Sequence, residues 1–121
     1  MAKRILVIDD QEEYLIALKN LLGKAGYEVM TADNANDGLK TARNLEPDLI
    51  LCDMSMPGSD GVDVLDIVQD DAKLSQIPFV FLTAMHGDSL RDQALRLGAK
   101  RYITKPIDHP LLLNTLAELI K

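Results

Sequence analysis

Five times along this chain a short, mostly apolar run gives way to a longer stretch whose apolar residues recur every three or four positions. The short runs are Ile5–Ile8, Glu28–Ala32 with Val29 and Met30 inside it, Leu49–Asp53, Phe79–Leu82 and Arg101–Thr104. Runs such as Leu-Ile-Leu-Cys and Phe-Val-Phe-Leu show no alternation, which predicts strands buried on both faces. The longer stretches predict helices. Gln11–Ala25 places Tyr14, Leu15, Leu18, Leu21 and Leu22 on one stripe, and a second helix from Ala35 to Leu45 turns Leu39 and Ala42 inward. A third, Gly61–Asp70, carries Val62, Val64, Leu65 and Val68; a fourth reaches Leu97 and a fifth Ile120. The punctuation agrees with these limits. Asn34, Asp60 and Asp108 stand where N-caps belong, and Asp88 or Ser89 is expected to cap the fourth helix. Gly26 and Gly98 follow helix ends, Pro47 stops the second helix, and Pro110 is tolerated in the first turn of the last. Asp70–Lys73 reads as a solvated loop, and Pro57, Gly58, Asp60 and Gly61 turn the chain directly after Asp53.

Strand and helix alternating in this way predict an α/β domain with helices on both faces of a parallel sheet. Right-handed crossovers leave few topologies, and five units favour the flavodoxin-like, doubly wound order 2-1-3-4-5 with five helices. The 121 residues suit one domain, residues 1–121. In that order strands one and three are neighbours, and the ligand crevice opens between their carboxyl ends.

Composition narrows the function. A net charge of −6 argues against wholesale binding to nucleic acid or to an anionic membrane. No apolar run approaches the roughly 20 residues of a membrane span, and no signal peptide precedes the first strand, so a cytoplasmic location is expected. The single cysteine, Cys52, excludes an internal disulfide and fits a reducing compartment. It reads as a small apolar residue of the central strand, and the neighbouring Asp53 works against a reactive thiolate.

Chemistry collects at the predicted strand ends. Asp9 and Asp10 follow strand one, Asp53 ends strand three, Thr83 follows strand four and Lys105 follows strand five. Three close carboxylates repel one another, so a cation belongs among them. Without histidine or thiolate, the set suits a hard ion, Mg²⁺ or Mn²⁺. A lysine and a hydroxyl beside such a site suit a phosphoryl group, and a carboxylate facing both can act as its nucleophile.

These residues carry a resemblance. The acidic pair Asp9-Asp10, the segment Asp53-Met-Ser-Met-Pro-Gly-Ser-Asp-Gly61, Thr83-Ala84 and Lys105-Pro106, in this order, make the chain similar to the receiver domain of two-component response regulators. The likeness runs from Lys3 to Lys121 and is close to the single-domain chemotaxis type. It implies that Asp53 accepts a phosphoryl group from a sensor histidine kinase or a histidine phosphotransfer protein. It implies Mg²⁺ bound by Asp10, Asp53 and the Ser55 backbone carbonyl, with Asp9 assisting through water. Thr83 is implied to donate to one phosphoryl oxygen, Lys105 to neutralise another, and Pro106 to follow a cis peptide bond. Tyr102 matches an aromatic switch position, although a static core role is also open to it. Ser55 and Met85 fall where the family varies and where attack by water is tuned. The implied output passes through the helix 4–strand 5–helix 5 face to a downstream protein or output domain. That face includes Arg101, Tyr102 and the exposed side of Leu111–Ile120, in a monomer or a phosphorylation-dependent dimer, with no direct contact to nucleic acid or membrane.

The expected role is therefore a switch rather than an enzyme with a diffusible substrate, though one that assists its own phosphorylation and dephosphorylation. Three rivals fit less well. A dehalogenase-like phosphatase needs a second aspartate where Ser55 stands; a constitutive pseudo-receiver has no use for intact Asp10, Asp53, Thr83 and Lys105; an FMN carrier needs a phosphate loop where Asp9-Asp10-Gln-Glu-Glu13 stands. His86 and His109 read as a solvated loop residue and part of a helix start. The leucines of the last helix exceed one narrow stripe, so core packing and a partner surface are both open to them. No output domain follows Lys121, so either a stand-alone regulator or a receiver from a longer protein is expected.

Overall fold

Neighbouring side chains of a strand point to opposite faces, so an unbroken apolar run supplies two cores at once. The computed structural model, which describes residues 2–120 apart from Pro57, shows this for the three inner strands. From β1 (Arg4–Ile8), β3 (Leu49–Cys52) and β6 (Phe79–Thr83), one core takes Ile5, Val7, Leu49, Leu51, Val80 and Leu82. The other takes Leu6, Ile8, Ile50, Cys52, Phe79 and Phe81. Two helices cover the first: α1 (Glu12–Lys24) through Leu18 and Leu22, and α5 (His109–Leu119) through Leu112 and Leu116. The second lies under α2 (Ala35–Leu45) with Leu39 and Ala42, α3 (Gly61–Asp70) with Val64, Leu65 and Val68, and α4 (Asp88–Arg96) with Ala94. Each fully buried leucine or isoleucine contributes about 1.5–3 kcal/mol of transfer free energy.

All pairings in the main sheet are parallel. With β2 (Glu28–Ala32) and β7 (Arg101–Thr104) at the edges, its order is β2-β1-β3-β6-β7. Counting these strands in chain order, that is 2-1-3-4-5, as expected. Asn34, Asp60 and Asp108 cap α2, α3 and α5, each accepting a hydrogen bond from the backbone N–H three residues on. No helix among the described residues is long and apolar enough to cross a membrane.

The structure contradicts one expected cap and adds three features that the sequence reading left open. α4 is capped by Gly87, not by Asp88 or Ser89, and no side chain satisfies its first amides. Val29 and Met30 are half-buried because β2 is an edge strand with one neighbour. The expected loop after α3 runs into a short 3₁₀ turn, Leu74–Gln76, which buries Leu74. After Asp53 the chain forms a small antiparallel hairpin, β4 (Ser55–Met56) against β5 (Ser59–Asp60). The turn residue Pro57 lies outside the described residues, as does Lys121.

Candidate functional site

The three buried charged residues of the site are each tied by the backbone to the next strand. The Asp9 N–H donates to the Ala32 carbonyl at 3.0 Å, the Asp53 N–H to Ile8 at 2.9 Å and the Lys105 N–H to Thr83 at 2.8 Å. The sheet ladder thus continues one residue past the strands and fixes where these side chains start. Gly61 closes the approach from α3. Its N–H donates to the Met54 carbonyl at 2.7 Å, and a Cβ there would collide with the Asp53 carbonyl oxygen and the Phe81 ring. Only glycine lets the α3 start lie this close to the Asp53 backbone.

The side chains then converge. Carboxylate oxygens of Asp9, Asp10 and Asp53 lie within 4.8 Å of one another. Asp9 and Asp53 are buried and Asp10 is exposed. Lys105 also brings its positive charge among them: its Nζ donates to Asp9 Oδ2 at 2.7 Å, to Asp53 Oδ2 at 3.0 Å and to Gln11 Oε1 at 3.0 Å. The other oxygens of the buried pair accept from backbone: Asp9 Oδ1 from Gln11 N–H at 2.9 Å, Asp53 Oδ1 from Ser55 N–H at 3.1 Å.

Burial raises the Asp9 carboxyl above its ordinary range, although Lys105 and the Gln11 amide work in the opposite sense. For Lys105, burial alone pushes downward, but its hydrogen bonds and charge pairing with Asp9 and Asp53 outweigh it and the ammonium titrates higher than usual. The Cys52 thiol is driven well up by burial and then by Asp53, so it is inert.

Beside the carboxylates opens a crevice of about 310 Å³ lined by Asp10, Gln11, Asp53, Ser55, Thr83, Ala84 and Met85. Thr83 is buried at its edge, and its Oγ1 accepts from the Met85 N–H at 3.3 Å. Tyr102 stands outside the crevice. Its half-buried ring lies beside Phe81, and its hydroxyl donates to the Met85 carbonyl at 2.6 Å. Thr83 and Tyr102 therefore hold the two sides of one residue, a link that strand positions alone do not reveal. The Lys105–Pro106 peptide is cis, as expected. His86 is exposed on the loop and His109 opens α5.

Three strand-end carboxylates, a buried lysine and a hydroxyl on the adjacent strand thus stand together at one edge of a doubly wound sheet. The profile of the response regulator receiver domain matches residues 5–117. The chain belongs to this family. It is 36% identical over 113 residues to Protein PilH of Pseudomonas aeruginosa, covering 93% of each chain. It is 40% identical to Response regulator PleD of Caulobacter vibrioides over all of this chain but 27% of that one. Among solved structures, chemotaxis protein CheY4 of Vibrio cholerae superposes with a TM-score of 0.92 at 26% identity, over 98% of this chain and 99% of that one. Receiver domains are the switches of two-component signalling, and they bind Mg²⁺ through an acidic pocket such as the one Asp9, Asp10 and Asp53 form here.

Two residues against Lys105 escaped the sequence reading: Gln11, which accepts from Nζ, and Tyr14, whose ring centroid lies 3.9 Å from Nζ. Gln11 was counted as the start of a helix and Tyr14 as part of its apolar stripe. The available hint was Gln11 itself, since glutamine is a poor N-cap. For Tyr14 no signal separated it from its leucine neighbours.

Proposed function

We propose that residues 1–121 form one receiver domain in which Asp53 is the phosphoryl acceptor. The observation that carries this reading is the Asp53 carboxylate itself, buried at the switch point with Lys105 Nζ 3.0 Å away and two further carboxylates beside it. The donor is a phosphohistidine of a sensor kinase or of a phosphotransfer protein. An Asp53 oxygen forms the new O–P bond, the P–N bond breaks, and the imidazole leaves with the electron pair and takes up a proton. Lys105 turns one of its three hydrogen bonds to a phosphoryl oxygen, a charge-assisted bond. The donor set is all hard oxygen, which fits Mg²⁺ or Mn²⁺ on Asp10, Asp53 and the Ser55 carbonyl with Asp9 behind them. When bound, that ion supplies positive charge against which phosphoryl oxygens gather. Ser55 and Met85, both lining the crevice, set how readily water reaches the phosphoryl group.

The signal leaves through Met85. A phosphoryl group on Asp53 offers Thr83 a charged acceptor, and any movement of Thr83 is felt at the Met85 peptide and so at Tyr102. The outcome is a population shift of the α4–β7–α5 face. That face, with Arg101, Tyr102 and the outer side of α5, meets a downstream protein, an output domain or a second copy.

Acetyl phosphate with Mg²⁺ should add one phosphoryl group to the wild type, seen by mass spectrometry, and Asp53→Asn should reduce labelling at least about a hundredfold. Equal labelling of the variant at the same rate would falsify the assignment.

A further inference from the structure

Lys105 is held on two sides by parts of the chain that do not belong to the acidic triad. Gln11 Oε1 accepts from Nζ at 3.0 Å, and the centroid of the Tyr14 ring lies 3.9 Å from Nζ. The two residues are three positions apart at the start of α1, which puts them on the same side of the helix. Gln11 is the N-cap residue of α1, yet its side chain makes no cap bond. A serine, threonine, aspartate or asparagine there stabilises the helix start by bonding a free amide. This helix forgoes that gain, and the amide reaches Lys105 instead.

The lysine needs such partners. Its side chain is 3% exposed, so the hydration of the ammonium has been replaced by protein groups. A lysine stem is flexible and its charge is a point rather than a fork. Two carboxylates on strand ends cover one side of it, and an aromatic face, negative in its quadrupole, covers another.

We infer that Tyr14, together with Gln11, is a positioning residue for Lys105, holding its ammonium at Asp53 so that it meets the phosphoryl oxygens without prior rearrangement. Gln11 is also the partner that yields. It is a neutral acceptor, and a phosphoryl oxygen attracts the ammonium more strongly than an amide does. The kinetic half of this inference rests on Asp53 being the acceptor; the geometric half does not.

The experiment therefore has two readouts. In the metal-free protein, NMR of the Lys105 side chain should show an upfield ring-current shift of its Hε protons. The shift should persist in Tyr14→Phe and vanish in Tyr14→Leu. With a small phosphodonor and Mg²⁺, Tyr14→Leu should be phosphorylated about fivefold more slowly, the size of a modest cation–π contact, while Tyr14→Phe keeps most of the rate. Should Tyr14→Leu fold poorly, Tyr14→Met replaces it. An undiminished rate in the aliphatic variant overturns the inference, as does a phenylalanine variant as slow as the aliphatic one. If the wild type takes no label on Asp53, the functional reading fails and the Lys105 resonances decide alone: a shift unchanged without the ring overturns the positioning role.

Discussion

The lysine-centred edge of the sheet and the α4 flank are held in opposite ways. At the edge, Lys105, Asp9 and Asp53 are each fixed by a backbone bond to the neighbouring strand, and their side chains exchange charge-assisted hydrogen bonds of 2.7–3.0 Å. Nearby, α1 and α5 bury Leu18, Leu22, Leu112 and Leu116 completely. By contrast, α4 buries Ala94, half-buries Leu90 and leaves Leu95 exposed. Its cap is a glycine without a capping side chain, and the loop before it is exposed from Ala84 to Gly87. Segments with few buried contacts open at the lowest free energy. The proposed switch uses both kinds of region: a stiff place where one charge changes, and a loose one that the change can move.

The largest effect should come from breaking the stiff side electrostatically. Lys105→Met leaves Asp9 and Asp53 buried without their cation, and in the metal-free protein at neutral pH it should cost about 3 kcal/mol. Urea denaturation measures this, and added Mg²⁺ should return part of it. A variant as stable as wild type without metal would show that the carboxylates rearrange toward water, and that the edge is not stiff.

Packing gives the next contrast. Leu112→Ala should cost about 2–5 kcal/mol, whereas Leu95→Ala on α4 should stay within about 0.5 kcal/mol. Similar losses at both positions would mean that α4 is anchored as firmly as α5.

Removing one bond at the junction of the two regions is subtler. Tyr102→Phe deletes the hydroxyl that donates to the Met85 carbonyl and should cost about 1 kcal/mol. Hydrogen exchange should quicken in the β6–α4 loop and in α4 but not in α5. Faster exchange spread evenly over both helices would remove Met85 as the link.

The smallest effect is a pH slope. Asp9 titrates above its ordinary value of 3.8, so the folded state binds its proton more readily than the unfolded chain does. Its contribution therefore favours folding most below that value and declines as pH rises through the raised pKa. Relative to Asp9→Asn, the metal-free wild type should lose stability as pH climbs from about 4. A difference that grows in the other direction would mean that pairing with Lys105 outweighs burial at Asp9.

How much of this was readable beforehand varied with the range of the interaction. Asn34, Asp60 and Asp108 were legible as caps because a cap bonds an amide three residues away. The α4 cap was misread because two good capping residues, Asp88 and Ser89, follow Gly87 directly, and local preference cannot choose between adjacent starts. Tyr102 was legible as a strand residue near Thr83, but its bond to Met85 depends on a loop path that no period encodes.

By itself the sequence determined the order of elements, the two-sided burial of the inner strands, and the arrival of Asp9, Asp53, Thr83 and Lys105 at strand ends. Those follow from periodicity and punctuation within a few residues, and a parallel sheet turns every strand end toward the same edge. The tertiary structure decided which atoms meet. Lys105 reaches Asp9 across 96 positions, Asp53 across 52 and Gln11 across 94, and the Tyr14 ring lies against the same ammonium. Periodicity says which way a side chain points, but the end of a flexible lysine stem settles only where the assembled sheet and the first turn of α1 leave charge, hydrogen-bond acceptors and an aromatic face together.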